Sequence, residues 1–374
     1  MQKTTRRDFL RHTAVAGAAA MLPGQSLAKS MLMQQAATPK KLLILGGTSF
    51  LGPAVVRAAL ARGHTLTLFN RGKTRPGLFP DIEQLHGDRD GDLKSLEGRK
   101  WDCVLDTSGY VPRIVKLSAE LLKDAVKHYI FISTISVYAD TSKPIDESSP
   151  LAKMEDESSE SVKEYYGALK ALCEQAAEKI MPGRVTNIRP GLIVGPEDPS
   201  DRFTYWPVRI DRGGDVLAPG SADDQVQVID VRDLGEWIVK VMEDGTTGLF
   251  NTTGPDKPLS MGRMLEACQH ATKSESKLIW ADADFLEANK VQGWSDMPVW
   301  LPPRGETACF AKVDCRKAIA KGLKFRPIDE IAKDTLAWFK TLPEERRAKL
   351  RAGIKPEREV EVLAELKKRG GKSG

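Results

Sequence analysis

Residues 41–62 carry the pattern that most restricts the fold: the apolar run Leu42 to Leu45, the turn Gly46-Gly47-Thr48-Ser49-Phe50-Leu51-Gly52, and a helix-compatible stretch from Pro53 to Arg62. A strand that feeds a glycine-rich turn and then a helix gathers backbone N–H groups at a helix N-terminus, where the dipole favours an anion. Gly46 suits the tight turn and Gly52 lets helix and strand approach, as a dinucleotide pyrophosphate site requires. A glycine turn with no ligand is the plainer alternative. Ser49 stands where the middle glycine of the usual three would be, so its side chain either crowds the phosphate or hydrogen-bonds it.

Thr65 to Phe69 completes a βαβ unit. Further strands are expected at Asp102 to Leu105, Tyr129 to Ile132 and Arg184 to Ile188, with helices near Ile114 to Val126 and Tyr165 to Glu178. Such alternation predicts an α/β fold, a Rossmann-type doubly wound parallel sheet. After Pro190 the rhythm breaks and Pro and Gly become frequent, which fits a smaller C-terminal substrate lobe. The chain thus divides into a dinucleotide-binding Rossmann domain over 40–190, a substrate lobe with returning Rossmann elements over 191–342, and a charged helical tail over 343–374. Within the tail, Glu357 to Lys368 reads as a solvated helix.

The N-terminus places Thr5-Arg6-Arg7-Asp8-Phe9-Leu10 before the mild apolar run Ala14 to Leu22 and then Ser26-Leu27-Ala28. This order reads as a twin-arginine export signal over residues 1–28, bound for a periplasmic or other extracytoplasmic destination. The alternative is a basic N-terminus with a chance Arg-Arg pair. The run is roughly half of the ~20 apolar residues that a membrane span needs. No cysteine follows the cleavage region, so neither a lipid anchor nor a membrane anchor after signal removal is expected. Lys3, Arg6, Arg7 and Arg11 against Asp8 account for three of the chain's five net positive charges. The near-neutral remainder leaves no broad electrostatic footprint for nucleic acid. With 41% hydrophobic and 29% charged residues, the chain reads as a soluble globular protein. The scattered Cys103, Cys173, Cys268, Cys309 and Cys315 form no zinc pattern and read as buried small apolar residues, although Cys309 and Cys315 could pair after export. No metal is predicted.

Cofactor choice is read about 20 residues beyond the turn, where an acidic residue holds the adenosine ribose of NAD. Asn70-Arg71 stands there instead, without a carboxylate to repel a 2′-phosphate, which favours NADP while leaving NAD open. Asp88 sits where a carboxylate near the adenine amine is expected, or is a plain turn aspartate. Tyr166 and Lys170 form a Tyr-x-x-x-Lys pair on one helix face. An ammonium near a phenol favours the phenolate, which suits proton exchange at a carbinol.

The turn Gly46 to Gly52, the stretch Ile132-Ser133-Thr134-Ile135-Ser136-Val137-Tyr138, the run Tyr166-Gly167-Ala168-Leu169-Lys170, and Arg189-Pro190-Gly191 occur in that order. Together they resemble the extended short-chain dehydrogenase/reductase family, the NAD-dependent epimerases/dehydratases, over roughly residues 40–340. The resemblance implies that Tyr166 is the acid/base, Lys170 its electrostatic partner and a ribose contact, and Thr134 (or Ser136) the group that binds the reacting oxygen. It implies a cofactor held by Gly46, Thr48, Ser49, Phe50, Leu51 and Gly52, by Asn70, Arg71, Asp88 and Thr107 further on, and by Lys170 and Pro190 near the nicotinamide. It also suggests a homodimer through the helices flanking the site. Ser49 and Asn70-Arg71 depart from the commonest pattern. Similar Gly-Gly-Thr turns occur in atypical relatives, some isoflavone reductase-like and some chloroplast stem-loop RNA-binding.

Phe203, Tyr205, Trp206, Trp280, Trp294 and Trp300 supply aromatics suited either to stacking on a sugar or phenolic ring or to core packing, with Trp206 the best candidate for a ligand contact. The expected function is an NAD(P)-dependent oxidoreductase or epimerase acting on a carbohydrate-like or phenolic small molecule. The alternative is a non-catalytic NADP-binding protein, either a redox sensor or a nucleic-acid binder.

Overall fold

The computed structural model describes residues 38–370, so the N-terminal signal lies outside the described residues. The first half runs β1 (Lys41–Leu45), α1 (Leu51–Ala61), β2 (Thr65–Asn70), β3 (Glu83–His86), β4 (Cys103–Asp106), α2 (Pro112–Leu122), β5 (His128–Ile132), α3 (Val162–Ile180) and β6 (Val185–Pro190). There follow β7 (Leu192–Val194), α4 (Tyr205–Asp211), β8 (Gly214–Pro219), β9 (Gln225–Val226), β10 (Val228–Asp230), α5 (Val231–Asp244) and β11 (Gly248–Thr252). The remainder comprises β12 (Leu259–Ser260), α6 (Met261–His270), β13 (Ser276–Ala281), α7 (Ala283–Ala288), α8 (Arg316–Ala320), α9 (Ile328–Lys340), α10 (Glu344–Arg347) and α11 (Pro356–Gly370).

Seven strands form one sheet in the order β11-β6-β5-β4-β1-β2-β3, and every pairing in it is parallel. The central strands are apolar on both faces because helices cover both faces. In β1 the alternation is visible: Leu42 and Ile44 join one core with α1 and α5, whereas Leu43 and Leu45 join the other with α2 and α3. Helix α1 buries small residues against α5, where a Cβ at Gly235 would lie 3.0 Å from the Ala54 carbonyl carbon. The chain leaves β1 toward β2 on one side and reaches β4 on the other, so the carboxyl ends of β1 and β4 border the switch-point crevice where such sheets bind ligands.

Strand β11 returns from the second half to pair with β6, from Gly248 opposite Thr186 to Thr252 opposite Pro190. The second lobe has its own core, built on the parallel pair β8 and β13 with α4, α6 and α9. Here two expectations are corrected. Trp206 is fully buried in this core and its indole N–H donates to the Pro298 carbonyl at 2.7 Å, so it is no ligand contact. Phe203, Tyr205 and Trp300 are buried beside it and Trp280 packs on the same core. The tail helix α11 is docked rather than solvated: Val362 and Leu363 enter the lobe core. Its Glu359 carboxylate is buried, accepting from the Leu217 N–H at 3.0 Å and from Arg209 Nε at 2.6 Å. A charged helix hides one apolar stripe, and charge content alone does not reveal it. The five cysteines are buried and unpaired.

Candidate active site

At the switch point the described residues enclose a cavity of about 690 Å3. The glycine turn forms one end of it. Gly46 and Gly47 have φ of +111° and +92°, which side chains rarely adopt. A Cβ at Gly46 would sit 2.4 Å from Thr107 Oγ1, and one at Gly52 would sit 2.5 Å from the Gly47 Cα. Ser49 has no such constraint; it is exposed and lines the cavity. Helix α1 starts with no side-chain cap and no acidic residue in its first turn. Its first N–H groups and the positive end of its dipole are left to an anion. An uncapped helix N-terminus behind a cradle that any Cβ would fill fits a dinucleotide pyrophosphate.

From there the cavity runs along the strand ends. Asn70, Arg71, Lys73 and Thr74 line it beyond β2. The Asn70 amide donates to Gln84 Oε1 at 2.9 Å, and its carbonyl oxygen accepts from the Gly72 N–H. Arg71 has no carboxylate partner among the described residues. Asp88 lines the cavity and also accepts from the Asp90 N–H at 3.0 Å, so the turn role is made whether or not it meets an adenine. Arg89 reaches the wall too, but both its terminal nitrogens are committed to buried Asp106 at 2.6 Å. Thr107 Oγ1 donates to the Leu45 carbonyl at 2.9 Å, tying β4 to β1 at the turn.

The other end gathers Thr134, Ser136, Tyr166, Lys170 and Pro190, which enter from the end of β5, from α3 and from β6. Thr134 caps the short turn Ile135–Val137: its Oγ1 accepts from the Ser136 N–H at 3.1 Å. Its hydroxyl donates to Ser136 Oγ at 3.2 Å. Lys170 is buried, and its Nζ donates to the carbonyls of Gly109 and Ile132, each at 2.6 Å. The expected lowering of the phenol by this ammonium is not what the side chains produce. Burial holds the Tyr166 phenol above its ordinary value, and the cation that opposes this is Arg202. Lys170 gives two of its three ammonium hydrogens to backbone carbonyls.

Burial pushes Lys170 down to about 8. In the unfolded chain a lysine titrates near 10.4, so between those values the unfolded state binds more protons and stability rises with pH. Lys170 as the ammonium therefore costs stability below about pH 8, and the cost fades as pH approaches ~10. Urea unfolding of wild type and Lys170→Met across this window is expected to show the wild type gaining up to about 3 kcal/mol relative to the variant. Parallel pH profiles would contradict the burial of a charged amine.

Residues that the sequence pattern did not single out complete the wall. Tyr110 stands 6.4 Å from Tyr166, ring centre to ring centre, and Asp198, Ser200, Arg202 and Phe310 come from loops far along the chain. Trp294 is the one member of the expected aromatic set that lines the cavity. Nothing local marks these positions, because their common feature is the loop ends on which they converge.

Residues 100–253 match the family model described as NAD dependent epimerase/dehydratase family, and residues 3–23 match that of the TAT (twin-arginine translocation) pathway signal sequence. The glycine turn lies outside the first match. A curated relative, a chloroplast stem-loop binding protein of 41 kDa from Arabidopsis thaliana, is 27% identical over 269 residues. That match covers 65% of this chain and 66% of the relative, slightly under two thirds of the relative's length. Among solved structures, the Bordetella bronchiseptica enzyme WbmH in complex with NAD+ superposes with TM-score 0.59 at 17% identity, covering 81% of this chain and 99% of that one. UDP-glucose 4-epimerase from Bifidobacterium longum, in complex with NAD+ and UDP, gives 0.58 at 17% identity, with coverages of 82% and 99%. A human epimerase family protein with NADPH gives 0.55 at 19% identity, with coverages of 81% and 100%. These likenesses establish the fold. Over residues 100–253 the chain is therefore similar to the NAD dependent epimerase/dehydratase family, it has the Rossmann-like fold of the superposed structures, and its N-terminus matches a twin-arginine signal sequence.

Proposed function

We propose that this protein is an NAD(P)-dependent oxidoreductase or epimerase that works on a hydroxyl-bearing carbon of a carbohydrate-like or phenolic small molecule. The observation that carries the reading is a single cavity lined by the glycine turn at one end and by Thr134, Tyr166 and Lys170 at the other. The bound cofactor would supply hydride transfer. The turn Gly46 to Gly52 would hold its pyrophosphate, with Thr48, Ser49, Phe50 and Leu51 around it. Asn70, Arg71, Asp88 and Thr107 would hold its adenosine half, and Lys170 and Pro190 its nicotinamide half. Tyr166 Oη would take or return the proton at the substrate oxygen, and Thr134 Oγ1 would hydrogen-bond the same oxygen. Lys170, fixed on two carbonyls, would position the floor beneath them.

Arg71 and Lys73 just beyond β2, with Asn70 rather than a carboxylate ending that strand, support NADP over NAD. Arg71→Ala is expected to weaken NADP binding by roughly tenfold or more while leaving NAD nearly unchanged, since hydrogen bonds to charged groups are worth about 1.5–3 kcal/mol. Equal losses for both nucleotides, measured by fluorescence titration, would remove this assignment.

The signal sequence supports export by the twin-arginine route to the periplasm or another extracytoplasmic space. Free nicotinamide nucleotide is not expected there, so the cofactor would be loaded before export and kept. Arg75 supports such retention: its Nε donates to the Thr48 carbonyl at 2.9 Å, and its Nη1 meets Glu197 at 2.5 Å, tying the turn to the loop after β7. A retained cofactor suits a cycle that restores it, such as epimerisation or paired oxidation and reduction. The test is to denature exhaustively dialysed mature protein and identify what it releases. Protein that is nucleotide-free after dialysis and exchanges nucleotide with micromolar affinity would overturn retention.

The stem-loop binding relative favours a second reading, a nucleotide-binding protein without chemistry that meets nucleic acid. Gel-shift titration with an RNA stem-loop separates the two: saturable binding without any sugar-dependent change in the bound nucleotide would support the second.

A further inference from the structure

The loop of residues 195–202, between β7 and α4, carries three carboxylates and one guanidinium, of which Asp198 and Arg202 line the cavity, and each carboxylate accepts hydrogen bonds from groups other than Arg202. Glu197 meets Arg57 Nη2 and Arg75 Nη1, each at 2.5 Å. Asp198, only 1% exposed, accepts from the Ser200 N–H at 2.8 Å and from the Ser200 hydroxyl at 2.7 Å. Asp201 is fully buried and accepts from Arg346 Nη2 at 2.5 Å and from the Arg351 N–H at 2.9 Å. Residues of the C-terminal tail thus pin this loop from behind.

Arg202 is what remains. Its Nε donates to Ser200 Oγ at 3.1 Å, and its guanidinium lies 5.4 Å from the centre of the Trp294 ring, which Phe310 holds edge-on at 5.2 Å. The terminal nitrogens Nη1 and Nη2 have no protein acceptor among the described residues. Other cavity cations are accounted for: Arg89 is paired with Asp106, Lys170 is fixed on two carbonyls with its third hydrogen left for the nicotinamide end, and Arg71 and Lys73 belong to the far end beyond β2. Burial holds the Arg202 guanidinium below its ordinary value, opposed first by the nearby Asp198 carboxylate and then by the Tyr166 phenol. A half-buried, planar donor fork whose terminal nitrogens meet no protein acceptor among the described residues is a recognition element for a planar anion.

We propose that Arg202 binds a carboxylate on the substrate, so that the molecule offered to Tyr166 is a carboxylated alcohol, such as a uronic acid or a carboxylated phenol. One guanidinium matches one carboxylate in charge and in its two parallel hydrogen bonds. A phosphate dianion would be left half-neutralised beside buried Asp198. The proposal deepens the oxidoreductase or epimerase reading and rests on it for the role of the hydroxyl alone.

Binding, not turnover, is the test. Full-length protein carrying its nucleotide is titrated calorimetrically with glucuronate against glucose, galacturonate against galactose, 4-hydroxybenzoate against phenol, and a hexose phosphate. At least one carboxylate is expected to bind roughly tenfold tighter than its neutral partner. Arg202→Leu erases that preference without weakening the neutral ligand, and Arg202→Lys, which keeps the charge and guards against a variant that fails to fold, retains part of it. The proposal is overturned by charged and neutral members that behave alike throughout the panel, including no binding by either. It is equally overturned by a preference that survives Arg202→Leu, or by the hexose phosphate outcompeting every carboxylate. A carboxylate preference in a protein that never changes the state of its nucleotide would refute the enzymatic reading and leave Arg202 standing; turnover of neutral sugars without that preference would do the reverse.

Discussion

Tyr166→Phe is expected to lower kcat by about 10³ while nucleotide affinity stays within about twofold, because a positioned acid or base contributes roughly 10²–10⁴ to a proton-transfer step. The loss is specific to the oxygen atom. Tyr166 is 37% exposed at the cavity wall, and its hydroxyl makes no hydrogen bond to a main-chain group among the described residues. Phenylalanine keeps the ring against Tyr110, so unfolding free energy should move by no more than ~0.5 kcal/mol. Thr134→Ala should cost less in rate than Tyr166→Phe, but more in fold, since Thr134 Oγ1 also caps the turn after β5. The measurement is single-turnover change of the bound nucleotide with whichever alcohol the wild type accepts. Unchanged turnover in Tyr166→Phe would end the acid/base assignment.

The Rossmann half is readable in the sequence because its central strands are buried on both faces and so appear as unbroken apolar runs, as in Leu42 to Leu45 and Tyr129 to Ile132. Strand β3 does not appear that way. It is an edge strand, Glu83-Gln84-Leu85-His86, in which Leu85 alone is buried, and its polar side chains disguise it. The site divides along the same line. Thr134, Tyr166 and Lys170 stand in patterned segments at the ends of regular elements, where spacing reports geometry. Arg202 and Phe310 stand in loops more than a hundred residues apart and share a wall only after the second lobe folds. Aromatic content misleads at Trp206 for a related reason: a large side chain near a site reads the same whether it faces a ligand or the core, and its N–H finds the Pro298 carbonyl inside. The pairing of Glu359 with Arg209, which docks the tail, joins residues with no local signal at all.

Gly167, a mere spacer in the Tyr-x-x-x-Lys pattern, is where the second large effect is expected. On helix propensity alone Gly167→Ala should stabilise α3 by about 1 kcal/mol. The environment opposes this, since an added Cβ would lie 2.0 Å from the Ser136 carbonyl oxygen and 2.9 Å from its carbon. Both are backbone atoms of the turn that Thr134 caps, so no flexible side-chain tip is available to yield. Forced overpacking costs typically 1–3 kcal/mol and is relieved by moving whole elements. Helix α3 would have to retreat from the end of β5, drawing Tyr166 from Thr134 and Lys170 from the Ile132 carbonyl. A displacement near 1 Å at reacting groups costs about 10² in rate. Gly167→Ala is therefore expected to lose up to about 2 kcal/mol of stability net of propensity and about a hundredfold in kcat. Gly77→Ala, where nothing lies within 4 Å of the added carbon, is the control that should change neither. If Gly167→Ala unfolds at the wild-type urea midpoint and turns over at the wild-type rate, the close approach of α3 to the Thr134 turn is not what sets the catalytic geometry.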